Sequence, residues 1–510
     1  MLLKRIQLRT TSRMARVVCA IVILIFLSLA SILISRPRVW KVDEVPVAFW
    51  AWRTHSPDEL DVHEAVEKTK GEVLFLRAGQ IDYQDRKLQR IRPLAGLPPK
   101  GVKLHLVYNT TRAVLEQLES IDFNALANEI VTSFRGDSER ARRDGADVRG
   151  LQLDIDFPTR LLSRYEQTLS AIRGQLQPGM KLSITGLPTW MHSPALNGAL
   201  QNVDFWIPQF YGGEIPKQSS QIIPISSPES ITHFVNKARQ IDKPFYAGLA
   251  AYSVALLYNA SGSLISLRGD VDPAVVVSYP SLELIDQRSF ASTERRFAFR
   301  ARTDDVIDGL NIRAGDVLVI DLPSSESLRI ASRIVRSLAG KRLLGICVFR
   351  LPARDDPATL TLLQVTHALN DEDSYPGIYV RLKREPLLSP TYVFTLEFKN
   401  GGSASPTVGS LKADLMVPAG SFIKLSARPG VSVQPLCNGE AANGPQPCSE
   451  RRADLLRVSI DFLPPGQTLT TMLILNSDLS RTTSVSVAMQ TDTQQSYSTN
   501  NEILIEGEVE

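Results

Sequence analysis

Gly150-Leu151-Gln152-Leu153-Asp154-Ile155-Asp156-Phe157 is the stretch that decides the fold of this 510-residue chain. Side chains alternate along a strand, so Leu151, Leu153, Ile155 and Phe157 share one face while Gln152, Asp154 and Asp156 share the other. In a parallel barrel the outer face packs against helices and must be apolar, so the polar set points inward. Two carboxylates at i and i+2 are expensive to bury without a purpose. The C-terminal end of a barrel strand is also where barrel active sites sit.

Outward from this strand the same unit recurs, a short apolar strand followed by an amphipathic helical stretch such as Tyr165–Gln175 or Ser227–Gln240. The other candidate strands are Val45–Trp52, Glu72–Gly79, Val102–Asn109, Lys181–Trp190, Val203–Gly212, Lys243–Ser253 and Leu343–Pro352. With Arg149–Asp156 they number eight, which predicts an α/β fold, a (β/α)8 TIM barrel over 45–369. No glycine-rich phosphate turn follows the first strand, which counts against a dinucleotide-binding sheet.

Between the seventh and eighth strands lies more chain than one helix needs, and 262–322 reads as an inserted β-rich segment. It either shapes the top face of the barrel or is inert packing. After a short polar linker, 376–510 changes character to alternating strands: Tyr392–Phe398, Leu411–Val417, Phe422–Ala427, Leu455–Phe462, Met472–Leu475 and Val485–Met489. That pattern predicts a β-sandwich, resembling the immunoglobulin-like accessory domains of exported bacterial proteins.

The formal net charge of +3 hides a division. Eight basic residues and no acid lie within residues 1–42, leaving 49 basic against 54 acidic side chains in the remainder. Val17–Ile34 is an 18-residue run without charge, about 27 Å as a helix and close to a bilayer core. Residues 1–44 therefore read as a basic tail and a transmembrane anchor through the inner membrane. The positive-inside bias puts the N-terminus in the cytoplasm and the body in the periplasm or outside the cell. A cleaved signal peptide ending near Ser28 and Ala30 is the rival reading, and it too exports the body. Cys437 and Cys448 flank a Gly/Pro/Asn-rich loop, either as a disulfide worth about 3 kcal/mol or as two thiols. Cys347, within an apolar strand, reads as a small buried hydrophobe.

Close carboxylates push their pKa values apart, so Asp154 and Asp156 can divide into one protonated and one charged group. Four of the five tryptophans fall on barrel strands. Trp50, Trp52 and Trp190 sit near strand C-termini, where a ring could stack on a pyranose, while Trp206 has the parity of a residue packed under helices. Arg77, Asn109, Gln209 and Tyr211 offer inward polar groups to hydroxyls. No H-E-x-x-H, Cys/His cluster or G-x-S-x-G occurs, so no metal or cofactor is expected. The acidic body lacks a basic stripe for nucleic acid.

The fourth strand resembles the D-x-x-D-x-D-x-E strand of the chitinase-like glycoside hydrolases (family eighteen). Aligned on Gly150, Arg149 and Gln152 replace the first two acids and Asp156 replaces the Glu, one methylene shorter. The resemblance implies that Asp154 orients the substrate and that Asp156 stands where the acid does. Pro208-Gln209-Phe210-Tyr211-Gly212 is similar to those enzymes' M-x-Y-D strand, with Tyr211 retained and Gln209 and Gly212 substituted. Gly248 and Tyr252 fit their G-x-x-x-Y pattern, and Phe349 stands at the position of the strand-eight Trp that stacks under sugar. The combination GLQLDID, SITGLPTWM and WIPQFYG is similar to an uncharacterised bacterial family of barrel glycosidase-like proteins with no assigned function.

Two readings of function follow. One is hydrolysis of a polysaccharide, with Asp156 as acid/base and Asp154 as nucleophile or stabiliser. The other is a non-catalytic barrel that binds polysaccharide or oligosaccharide in the cell envelope. A purely structural role leaves the inward aspartates unexplained. Both sugar readings require the two carboxylates to reach a groove with Tyr211 and a tryptophan, free of arginine locks.

Overall fold

The computed structural model describes residues 40–506, apart from 291–293, 387–390, 439–443 and 480. The basic tail and the apolar run at 17–34 lie outside the described residues. Among those described, no helix is long and apolar enough to cross a membrane.

Eight parallel strands close a barrel: β1 (Val47–Ala51), β2 (Val73–Gln84), β3 (Lys103–Thr110), β4 (Asp147–Asp154), β5 (Lys181–Gly186), β6 (Phe205–Pro208), β7 (Phe245–Ala250) and β8 (Leu343–Phe349). Closure is visible at Trp50, which lies beside Phe349 of β8 on one side and Phe75 of β2 on the other. The alternation in β4 sorts its side chains as expected. Leu151 and Leu153 are fully buried on the outer side, in one core with Leu162, Tyr165, Leu169 and Ile172 of the helix that follows. Each such aliphatic burial is worth about 1.5–3 kcal/mol, enough to fix the register of the strand.

Two local features set the shape of the barrel interior. At Gly150 an added Cβ would lie 2.5 Å from the Lys181 carbonyl oxygen and 2.7 Å from His105 Nδ1. Only glycine lets β4 and β5 close over the buried His105 ring. The second feature is at β2, which runs to Gln84 and turns back on itself into the antiparallel strand Lys87–Ile91. Asp85 and Arg86, both in the left-handed region, form the two-residue turn.

The insertion is an antiparallel five-stranded sheet with a small hairpin, and it begins at Val254 rather than Gly262. Apolar residues run on from β7, so the expected strand Lys243–Ser253 hides a break: β7 ends at Ala250 and a new strand starts at Val254–Tyr258. One face of this sheet packs with Ile225 and Tyr252. The other shares a core with Val276 and with Phe462 of the C-terminal region, whose ring meets Phe297 edge-on at 5.6 Å.

The C-terminal region is a single ten-stranded sheet curled on itself around one apolar core, instead of two separate sheets. The join is Ser496–Glu506, antiparallel to Thr482–Gln490 and parallel to the end of Ile378–Arg384. Neither Ser496–Glu506 nor Ile378–Arg384 stands out in sequence, because both are rich in polar and charged residues. Cys437 and Cys448 are joined in a disulfide with Cα atoms 5.8 Å apart. Cys347 is buried, and its surroundings push its thiol far above the usual range.

Candidate functional site

β4 carries the site because it delivers Gln152 and Asp154 to successive levels of the barrel interior. Gln152 is fully buried, and its amide donates to Ser183 Oγ at 3.4 Å, while its Oε1 has no hydrogen-bond partner among the described residues. Asp154 lies one level higher, half-buried, beside Asn109 of β3. The Thr185 hydroxyl of β5 donates to Asp154 Oδ1 at 2.7 Å. β4 ends at Asp154, so Asp156 is not on the strand as expected. It projects from the extended segment beyond, held between buried Ile155 and Phe157, and its side chain is open to solvent.

Burial and the neighbouring Asp156 push the Asp154 carboxyl up to about 8, against smaller opposing pulls from Thr185 and Arg77. Asp156 is raised too, because protein crowds one side of it even though the other is open. The two therefore share protons as a pair, with the deeper Asp154 the one held neutral. Among the described residues neither carboxyl forms an ion pair with Arg or Lys. Arg149, aligned with the first acid of the motif, points outward and pairs with Asp147 at 2.7 Å.

Around the pair stands an aromatic wall built from β1, β8 and the segments after β6 and β7. Phe349 touches four rings: Trp50 at 4.7 Å, Tyr252 at 4.9 Å, and Trp52 and Tyr211 at 6.1 Å each. Trp52 and Tyr252 are half-buried, as is Gln209 at the end of β6. The Tyr211 hydroxyl, pushed well above its usual range first by burial, also lies in the field of Tyr252, Asp154 and Asp156. Arg77, only 5% exposed, sits over the Trp52 ring at 5.4 Å, with Nε directed at Asn109 Oδ1 at 3.5 Å. A cavity of about 390 Å³ is lined by Trp52 together with Arg53, His55, Arg350 and Asp355 among others.

Gln152 is buried a level deeper, while Asp154, Asp156, Tyr211, Gln209, Trp50, Trp52, Arg77, Asn109, Tyr252 and Phe349 lie toward the C-terminal end of the barrel. Trp190 does not join them. It is 1% exposed on a short 3-10 helix, packs edge-on to Tyr165 at 5.7 Å and donates its indole N–H to the Phe157 carbonyl at 2.9 Å. A ring so enclosed cannot stack on a ligand, and it serves to pin the Asp156–Phe157 segment. Trp50 is 4% exposed and forms the base of the wall instead of a platform. Two further residues near the pair carry little signal in the sequence. Thr185 shares inward parity with Ser183, the same alternation that marks the aspartates. Tyr165, whose buried hydroxyl has no hydrogen-bond partner among the described residues and lies in the field of both carboxylates, sits on a helix where no pattern distinguishes it from core.

No three His, Cys, Asp or Glu side chains converge as a metal site among the described residues.

Fold and site together define a (β/α)8 barrel with a carboxyl pair at its C-terminal mouth. Residues 113–286, from the helix after β3 into the insertion, match the family described as a domain of unknown function, DUF3142. No curated protein matches the sequence. Among solved structures, the spore cortex-lytic enzyme SleL of Bacillus cereus is 14% identical, with a TM-score of 0.42 over 64% of this chain and 74% of its own. A chitinase from Chromobacterium violaceum is 12% identical, with a TM-score of 0.42 over 64% of this chain and 99% of its own. A family 18 N-acetylglucosaminidase from Paenibacillus barengoltzii is 14% identical, with a TM-score of 0.38 over 64% of this chain and 99% of its own. At TM-scores this low the likenesses decide nothing about activity, and the barrel stands on its own strand order.

Proposed function

We propose that this chain is an exported, glycoside-hydrolase-like protein that acts on a polysaccharide at the barrel mouth. The observation that carries the reading is the carboxyl pair itself: Asp154 and Asp156 act on one another, form no ion pair with Arg or Lys among the described residues, and lie in the field of Tyr211, which belongs to the aromatic wall of Trp52, Tyr211 and Phe349. A sugar ring against that wall places its glycosidic oxygen near Asp156, the open member of the pair. Asp156 donates the proton to the leaving oxygen as the bond to the anomeric carbon breaks, and later recovers one from water. Asp154, held by Thr185 and kept neutral by burial, is the proton-holding member of the pair and re-supplies Asp156 with the proton that it delivers. Both carboxyls come from one strand and so work from one side of the bond, which leaves the nucleophile to be water or a group of the substrate. The uncharged run at 17–34 anchors the chain in the inner membrane, with the N-terminus cytoplasmic and the barrel outside.

The test is release of reducing ends from a polysaccharide panel by wild type, Asp154→Asn and Asp156→Asn. Turnover by wild type and loss of about 10²-fold or more in each variant supports the assignment. Binding without turnover by wild type defeats it in favour of a carbohydrate-binding barrel. The shorter reach of Asp156 and the one-sided pair are the features that favour that second reading.

A further inference from the structure

Arg77 is a cation without a counter-ion in a place where that is costly. It is 95% buried by its 5% exposure, and its only hydrogen bond is the long one from Nε to the neutral amide oxygen of Asn109. The guanidinium lies over the Trp52 ring at 5.4 Å, and its two terminal nitrogens donate to no protein atom among the described residues. Arginine cannot escape by releasing its proton. The carboxyl nearest in effect is Asp154, whose attraction is smaller than the opposing effects of burial and Arg92, and among the described residues it forms no ion pair with Arg77. A second positive charge stands close by. Arg92 lies at the exit of the β2 hairpin, exposed, on a left-handed backbone at φ 45°, and its charge repels Arg77.

Two like charges that act on one another, one of them desolvated over an indole and free of any ion pair among the described residues, form a receptor for an anion. We propose that Arg77, supported by Arg92, binds the carboxylate of an acidic sugar, so that the substrate is a uronate-containing glycan and not a neutral one. This rests on the sugar-binding reading of the barrel mouth and specifies its substrate class. A hexuronic acid carries its carboxylate on the ring, in reach of a planar fork while the ring itself lies against the Trp52 and Phe349 wall. The guanidinium meets such a carboxylate with two parallel N–H···O bonds, and Asn109 is placed to steady Nε.

The experiment measures binding of oligomers of galacturonate, glucuronate and mannuronate to the full chain by titration calorimetry, each beside its neutral methyl ester. The acid form should bind about 10- to 100-fold more tightly than the ester at low salt, the range of a charge-assisted hydrogen-bonded pair. Arg77→Gln should erase this preference, so that the acid and its ester bind alike. Arg92→Gln, at an exposed position that does not threaten the fold, should reduce it about 2- to 5-fold and weaken its salt dependence. Equal binding of acid and ester by wild type overturns the proposal, as does an unchanged preference in Arg77→Gln. If esters or neutral glycans bind and acids do not, the acidic-substrate proposal falls alone. If no glycan of either kind binds, it falls together with the proposed function.

Discussion

Replacing Asp154 by Asn should stabilise the protein, and more so as the pH rises. The folded-state carboxyl titrates near 8 against an ordinary 3.8. Below the ordinary value both folded and unfolded chains hold the proton, and the group is neutral in its effect on folding. As pH rises from there, the unfolded chain releases the proton and the folded chain does not, so stability falls until the folded-state value is passed. Each pH unit costs about 1.4 kcal/mol at full effect, which sets a ceiling of about 6 kcal/mol above pH 8. Asp154 is only half-buried, and relaxation and water entry bring the expected effect to about 2 kcal/mol. Asn keeps an oxygen to accept from Thr185 and cannot ionise, so it removes the fall without losing that contact.

Urea unfolding of wild type and D154N at pH 5, 7 and 9 measures this directly. The variant should gain little at pH 5 and about 2 kcal/mol at pH 9 relative to wild type, while its turnover on any glycan is lost. A gain in stability bought at the expense of activity is the usual mark of a strained functional group. An advantage that is the same at pH 5 and pH 9, or a variant less stable at every pH, would refute the idea that burial and Asp156 hold Asp154 neutral.

Two further outcomes test the architecture around the site. Trp190→Ala should destabilise the fold by about 3–5 kcal/mol in urea unfolding, the cost of emptying a fully enclosed aromatic position. Trp52→Ala should instead leave stability within about 1 kcal/mol and weaken glycan binding, because its ring is half-exposed. The reverse pattern in calorimetry and unfolding would mean that the two indoles have been assigned the wrong roles. Gly150→Ala should cost about 1–3 kcal/mol, since its methyl group would press on the Lys181 carbonyl and the His105 ring. Urea unfolding measures the loss, and a variant as stable as wild type would mean that β4 and β5 can part at this point without cost.

Much of this molecule is legible from local pattern. The alternation of Leu151, Leu153, Ile155 and Phe157 with Gln152, Asp154 and Asp156 announces an apolar outer face and a polar interior, because a strand places successive side chains on opposite sides whatever lies around it. The same logic locates the eight strands and brings Tyr211, Arg77, Asn109 and Phe349 to one end of the barrel. Strand limits were harder to read where apolar residues continue across a break, as at Ser253–Val254. They were harder still where a paired strand is polar, as at Ser496–Glu506.

Tertiary structure alone decided the rest, because it concerns what surrounds a side chain and not where that side chain points. Trp190 follows a barrel strand as Trp52 does, yet only the packing of Phe157 and Tyr165 encloses one ring while the other stays open. Asp154 and Asp156 look alike in sequence. The barrel interior, assembled from β3, β4 and β5, buries the first and leaves the second at the lip, and that difference in solvation determines which keeps the proton. Arg77 likewise reads as one more inward polar group. Its missing counter-ion is a fact about every neighbour at once, and no single segment of the chain carries it.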